Sequence, residues 1–255
     1  MRTKLLGTPV DILDFDKTVA KAEQAIISRE QCVHVALNVA KFVKMRDDAE
    51  LRADVTGGDI IGIDGMGIAW ALKFFGVNNV TRVTGVDLMS AMLNLSAEKG
   101  YKPFILGAKQ EVLDTAISNA SARWPGLKMA GSRNGYFGPE DEAGIVKQIN
   151  DSNADCLFLA MPTPKKERFL AAYAKSLNVP FIMGVGGSVD VLAGHVKRAP
   201  VWMQKSGLEW SYRLLQEPRK MFRRYASTNG RFLWIILKAR MLGSGLKWQG
   251  GEQNG

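Results

Sequence analysis

Residues 59–70 read DIIGIDGMGIAW, and their spacing decides the fold. Ile60, Ile61 and Ile63 form a short β-branched run broken by one glycine. An Asp-Gly pair follows, then apolar residues at helical spacing, so the stretch predicts a buried strand, a tight turn and a helix. Asp64 falls at the carboxyl end of that strand, the edge at which open α/β sheets bind ligands. Gly65 and Gly67 carry no Cβ and would let a substrate approach the backbone. A carboxylate placed there is a candidate general base, or else a cap for the following helix.

The 255 residues suit one large α/β domain, alone or with an appendage, and 46% hydrophobic content supplies a core. A formal charge of +9 favours an anionic partner such as a phosphorylated ligand, an anionic lipid or a nucleic acid. Cys32 and Cys156 lie apart in apolar runs, and Met1 opens no secretory signal. The expectation is a reducing, cytosolic setting with buried thiols. No apolar run reaches the length of a bilayer span.

The same strand–helix alternation extends in both directions. A weak strand is expected within residues 3–13, then a helix from about Thr18 to Ser28. Asp14 and Asp16 form an Asp-x-Asp ahead of that helix, where acidic groups favour the helix dipole. A strand over Gln31–Asn38 places Asn38 at the functional edge and His34 in the interior. One helix is expected over Val39–Leu51. Thr81–Asp87 leads into a helix from Leu88 to Lys99, with Asp87 as its cap and Arg82 as a phosphate ligand or a surface residue. A strand over Tyr101–Leu106 ends at Gly107, whose turn into a helix over Gln110–Arg123 is a usable anion site.

A strand is expected at Leu127–Gly131. Tyr136, in the turn-rich segment NGYFGP, can stack on a base or simply pack. A helix over Glu140–Asn150 and a strand over Asp155–Ala160 follow, and then prolines start a helix whose first turn holds Lys165, Lys166 and Glu167. Lysines there oppose the dipole unless an anion is near. After the strand Phe181–Val185 come Gly186 and Gly187, again open to a ligand, and Asp190, a partner for a ribose or base or a cap for the next turn. About six such units predict a Rossmann-like α/β fold, a mostly parallel sheet with helices on both faces.

From His195 onward no strand is evident, and helices are expected at Trp202–Lys205, Leu208–Gln216, Arg219–Thr228 and Arg231–Leu242. The organisation read from this change is an α/β core over 1–195, a basic helical C-terminal appendage over 196–248 and a disordered tail over 249–255. Glu209 and Glu217 are the only acids between Gly207 and Lys247. Like charges four apart, Arg219/Arg223 and Lys220/Arg224, repel unless an anion is near. The aromatic residues beside them suit a membrane surface.

Several signatures are missing. There is no Gly-x-x-x-x-Gly-Lys-Ser/Thr loop, no Gly-x-Ser-x-Gly elbow and no grouped histidines or cysteines for a metal. Gly65-Met66-Gly67 lacks the third glycine of the dinucleotide fingerprint. A sheet edge with Asn38, Asp64, glycine turns and basic groups remains, and it suits a phosphorylated donor and acid–base chemistry at a hydroxyl.

The ordered motifs LN at Leu37-Asn38, DGMGIAW from Asp64, RVTGVDL from Arg82, FILG ending at Gly107, GYFGP from Gly135, GVGGSVDVLAG from Gly184, RAP at Arg198–Pro200 and GLEWSYRLLQEPRKMFRRY from Gly207 carry a family resemblance. Over about residues 30–225 the chain resembles the WecG/TagA/CpsF family of bacterial glycosyltransferases. It departs at Pro164-Lys165-Lys166-Glu167, where the family typically has Pro-Lys-Gln-Glu, and at Ala160-Met161-Pro162, where the usual glycine is changed.

The resemblance implies an inverting transfer, without a metal or other cofactor, of a hexose or N-acetylhexosamine-type sugar. The donor would be a UDP-sugar and the acceptor a polyprenyl-diphosphate-linked saccharide of surface polysaccharide synthesis. Asp64 would be the base. Asn38 and Arg82 would position donor or acceptor, Tyr136 and Asp190 would hold the uridine, and Gly107, Gly186 and Gly187 would lie against the nucleotide. Lys165 and Glu167 flank the altered donor contact. Arg213, Lys220 and Arg223 would belong to an appendage that meets lipid phosphates on the inner face of the cell membrane. The oligomeric state stays open. The alternatives are a nicotinamide-dependent oxidoreductase on a similar sheet and a non-enzymatic nucleic-acid-binding protein.

Overall fold

The computed structural model describes residues 1–243, leaving aside the side chains of Lys205, Lys220, Met221, Arg223 and Arg224. The residues expected to form the disordered tail and the last few of the appendage lie outside the described ones.

The chain opens with an antiparallel hairpin, β1 (Arg2–Leu5) and β2 (Thr8–Asp11), in place of the single strand expected over residues 3–13. Leu6 and Gly7 have φ of 48° and 83° and reverse the chain between them. Helix α1 (Phe15–Ser28) begins earlier than expected, because the Asp14 side chain accepts the Lys17 N–H. The first acid of the Asp-x-Asp pair is therefore used as a cap.

Strand β3 (Cys32–Leu37) passes into α2 (Val39–Lys44), capped by the Asn38 side chain accepting from the Lys41 N–H. The single helix expected over residues 39–51 is in fact two. Asp48 captures the Leu51 N–H and starts α3 (Ala49–Thr56). Strand β4 (Ile60–Ile63) and α4 (Met66–Phe74) realise the DIIGIDGMGIAW reading. The next helix, α5 (Gly85–Lys99), is capped by Thr84 and not by Asp87. Asp87 sits three residues inside, where its N–H donates to Thr84 Oγ1 and its carboxylate accepts from the same hydroxyl.

Strand β5 (Pro103–Gly107) and α6 (Gln110–Arg123) fall where expected. Strand β6 is Gly131–Arg133 and not 127–131, because a turn uses the Leu127 N–H in a bond to Trp124 O. Then follow α7 (Glu142–Asp151), β7 (Cys156–Ala160), α8 (Lys165–Tyr173), β8 (Phe181–Gly184) and the short α9 (Ser188–Leu192). The last three helices are α10 (Val201–Lys205), α11 (Glu209–Gln216) and α12 (Pro218–Met241). The two helices expected over 219–242 are one. A mid-helix glycine, Gly230, costs only about 1 kcal/mol. Docking of Phe232, Ile236 and Ala239, all buried, outweighs it. Phe232 meets Phe42 of α2 edge-on at 5.5 Å.

Six strands pair in the order β4-β3-β8-β7-β5-β6, every pair parallel. Alternate residues of the inner strands enter two separate cores. Val35, Leu37, Ile61, Ile63 and Leu157 face α2–α4, α7 and α8, whereas Ile105, Phe158, Phe181 and Met183 face α1, α5, α6 and α9. This is the Rossmann-like α/β architecture, with helices on both faces of a parallel sheet.

His34 of β3 is interior, as the alternation requires, at 1% exposure. A Cβ on its neighbour Gly62 would fall 2.6 Å from His34 Nε2, so the glycine that interrupts the isoleucine run makes room for the ring. Burial pushes the imidazole down to about 4; nearby Asp64 raises it and Lys41 lowers it. With the folded value below the unfolded one, the contribution is present above about pH 6.5 and lost as pH falls toward 4. The slope of unfolding free energy over that interval should approach about 1.4 kcal/mol per pH unit. His34→Leu should flatten it in urea titrations at stepped pH, and an unchanged slope would mean that another group titrates there.

Candidate functional site

Because all strands run one way, the loops that follow them meet at one edge. In spatial order these bring Asp64 (after β4), Asn38 (after β3), Gly186, Gly187 and Asp190 (after β8), Lys165 and Glu167 (after β7), Gly107 (ending β5) and Tyr136 (after β6). Arg82 precedes α5 beside the β4 loop, where the Val83 N–H donates to Ile63 O.

Asp64 is half-buried, and its Oδ1 accepts the Gly85 N–H at 3.0 Å. Asp64 thus faces the N-terminus of α5 and takes up one of its free backbone N–H groups. Oδ2 accepts no hydrogen bond among the described residues. The neighbouring glycines have a packing reason. A Cβ on Gly65 would lie 3.2 Å from Asn38 Cβ, and one on Gly67 would lie 2.5 Å from Val39 Cγ2. The start of α2 fills the space expected to admit a substrate, and this contact sets Asn38 beside Asp64.

Under the middle of the edge lies a buried group of charges. Lys41 Nζ donates to Ala36 O at 2.7 Å and pairs with Glu167 at 3.0 Å. Lys166 Nζ pairs with the same carboxylate at 3.1 Å and donates to Thr163 Oγ1 at 2.7 Å. Burial pushes the Glu167 carboxyl up, but the two ammonium groups outweigh it and hold it below the usual range. Glu167 is the anion that Lys166 at the head of α8 calls for. Lys165 turns the other way. It donates to Gly135 O and Phe137 O at 3.1 and 2.9 Å and lies 3.8 Å over the Phe137 ring. Lys165 thereby fixes the loop that carries Tyr136, itself 72% exposed.

Gly107 is required by the backbone. Its φ is 134°, and a Cβ there would lie 2.4 Å from the Ala160 carbonyl. Gly187 faces the C-terminal helices, since its missing Cβ would sit 2.8 Å from an Arg213 guanidinium nitrogen and 3.5 Å from Asp190 Oδ2. Arg213 of α11 therefore reaches the β8 turn. The side chains of Lys220 and Arg223, also expected near the site, lie outside the described ones.

Two side chains that sequence reading did not assign complete the rim. Arg82 pairs with Glu209 of α11 at 3.0 Å, and Arg198 donates to the other Glu209 oxygen at 3.4 Å. Arg198 also grips Asp87 through both terminal nitrogens. The sequence held one signal for Glu209, an acid in a stretch otherwise almost wholly basic. Arg198, inside the RAP motif, had none of its own. Burial pushes the Cys32 thiol to about 11 and the Cys156 thiol to about 12, so neither supplies a thiolate at neutral pH.

The model of the Glycosyl transferase WecG/TagA/CpsF family matches residues 3–245, beyond both ends of the motif-bearing region. The chain belongs to this family. Its members are glycosyltransferases of cell-envelope polysaccharide synthesis, working with a sugar donor and a lipid-linked acceptor. Membership sets aside the oxidoreductase and nucleic-acid-binding alternatives. No helix among the described residues is long and apolar enough to cross a membrane.

The buried charges make a specific demand on this family member. Glu167→Ala leaves two buried ammonium groups without their carboxylate and should lower the unfolding free energy by about 3–5 kcal/mol in urea titrations. The triple change Lys41→Met, Lys166→Met, Glu167→Leu should recover most of that loss. If the triple variant is no more stable than the single one, the cluster is not what sets the cost.

Proposed function

We propose that this protein transfers a hexose or N-acetylhexosamine-type sugar from a UDP-sugar to a polyprenyl-diphosphate-linked saccharide, with inversion and without a metal. The observation that carries the reading is the half-buried Asp64. It is pinned by one oxygen and open at the other, at the sheet edge of a chain matched to a glycosyltransferase family over nearly its whole length. The acceptor hydroxyl oxygen attacks the anomeric carbon from the face opposite UDP. Its proton passes to Asp64 Oδ2 as the new C–O bond forms. The bond to the β-phosphate oxygen breaks, and UDP leaves with the electron pair. An ordinary aspartate is a weak base, sufficient where proton transfer is late, and such help is worth ~10²–10⁴ in rate.

UDP departs as an anion and needs fixed positive potential. In this reading Arg82 and Arg213 supply it at the rim, and the Lys41–Glu167–Lys166 group supplies it from below. Asn38 orients the sugar. Gly186, with open space where a Cβ would stand, lets the nucleotide lie close to the backbone, Gly107 and Gly187 shape the turns on either side of it, and Tyr136 and Asp190 stand at the uridine. Lys165 acts through the Tyr136 loop, and Lys220 and Arg223 add cations along α12.

The segment from residue 196 onward serves, in this proposal, as an appendage that docks on the inner face of the cell membrane. Its polarity supports the assignment. Glu209, Arg213 and Gln216, one face of α11, turn toward the protein, while Trp210 and Leu215 are exposed. Trp202, Phe222, Leu233 and Trp234 are exposed as well, among basic residues.

Asp64→Asn should retain UDP-sugar affinity and lose about 10²-fold or more of kcat in a transfer assay on a lipid-linked acceptor. Full activity in that variant would remove Asp64 from the chemistry. A Trp202→Ser, Trp234→Ser variant should bind UDP yet sediment less with vesicles containing anionic lipid, which the wild-type chain should do in a salt-sensitive way. Equal sedimentation of both would relocate the membrane contact.

A further inference from the structure

We infer that Arg198 and Arg82 together form a site for the diphosphate group of a substrate, and that Glu209 occupies it in this structure as an internal carboxylate. The identity of the diphosphate bearer rests on the glycosyl-transfer reading above; the site itself rests on geometry.

Two guanidinium groups from distant parts of the chain converge on one carboxylate, each taking a different oxygen. Carboxylate and phosphate present oxygens to an arginine fork in closely similar ways. Glu209 therefore makes the bonds that a phosphate placed there would make. The side chains of Arg82, Arg198 and Glu209 are 15, 22 and 24% exposed, sheltered enough to strengthen the interaction yet reachable. Arg198 and Asp87 also line a groove of about 760 Å³ between α5, α6 and α9.

Arg82 stands three residues before Gly85, whose N–H holds Asp64, so one short segment carries both an arginine of the site and the group that pins the candidate base. Arg198 is held from behind by Asp87, which shares the Thr84 hydroxyl that caps α5. That support does not depend on Glu209, so the arginine keeps its place when the carboxylate leaves. Exchange of a carboxylate for a phosphate oxygen pair conserves the sign of the charge between the arginines, which keeps both cations paired throughout. Glu209 rides on α11 one turn from Arg213, so the exchange also changes what ties α11 to the sheet edge.

Full-length protein would be titrated calorimetrically at fixed ionic strength with inorganic pyrophosphate, UDP, farnesyl diphosphate and uridine. Thermal melting would confirm that each variant is folded. Glu209→Gln removes the competing charge and should bind pyrophosphate about tenfold tighter, while Arg198→Gln should bind it about tenfold more weakly. Arg198→Lys keeps the charge without the fork and should fall between. Uridine should respond to neither change. Whichever of UDP and farnesyl diphosphate shifts with both variants identifies the donor or the lipid-linked acceptor as the occupant. Weaker or unchanged pyrophosphate binding by Glu209→Gln would make Glu209 a strut and overturn the inference, as would wild-type protein that binds no diphosphate. UDP that binds wild type but ignores all three variants, with farnesyl diphosphate equally indifferent, sinks the site and spares the transferase reading. Pyrophosphate that responds while UDP does not bind sinks the UDP reading and spares the site.

Discussion

Parallel pairing is the constraint on which everything else depends. Six strands running one way deliver six loops to one edge, and the inner strands must bury both faces. The first consequence is chemical, because polar residues placed after strands in sequence become neighbours in space. The second is steric, because the loops crowd. Gly107 against the Ala160 carbonyl, Gly65 against Asn38 and Gly187 against Arg213 are all places where a Cβ would not fit comfortably. The glycines that read in sequence as openings for a ligand are in several cases the residues that let protein segments meet.

Charge at this edge follows the same logic. A buried carboxylate between two ammonium groups is costly to desolvate, and its members tolerate removal singly far less well than together. Lys41 comes from the helix after β3, and Lys166 and Glu167 from the helix after β7. The cluster thus ties together loops that flank β8, in the middle of the sheet. It fixes the floor on which Asn38 and the β8 turn rest.

Much of the fold was legible because buried parallel strands are short β-branched or aromatic runs ended by Gly, Asp, Asn or Pro, as IIGI-D and CLFLA-MP show. Errors came where tertiary contacts override local pattern. Residues 39–51 carry helical spacing throughout, yet Asp48 starts a second helix. Residues 219–242 contain a glycine that reads as a break, yet docking of Phe232 and Ile236 on α2 carries the helix through it. β6 is three residues of Gly-Ser-Arg at the sheet edge, with no apolar signature at all. At the site, Asp64, Asn38 and the β8 glycines were legible from their place after strands. Arg198 was not, and Glu209 stood out only as an acid among basic residues, because what marks both is a partner far away in sequence.

The C-terminal helices make the opposite choice from an ordinary surface helix. In α11 Glu209 and Arg213 turn inward, Gln216 bonds to the Lys197 backbone, Leu215 is exposed, and Trp210 is partly exposed while meeting Tyr225 of α12 edge-on at 5.7 Å. A helix of this polarity gains little from the hydrophobic effect on docking and is held by ion pairs and hydrogen bonds. Such bonds are directional and exchangeable in a way that apolar packing is not. α12 supplies the complementary anchor, burying Phe232, Ile236 and Ala239 while Leu233, Trp234 and Leu237 stay exposed. One end of the segment is therefore fastened by shape and the other by charge, and the charged end is the one that touches the rim of the site. A substrate anion competes on equal chemical terms with the contacts of α11 and has no equivalent at α12. Any adjustment of this segment to an arriving diphosphate is directed by that asymmetry to α11.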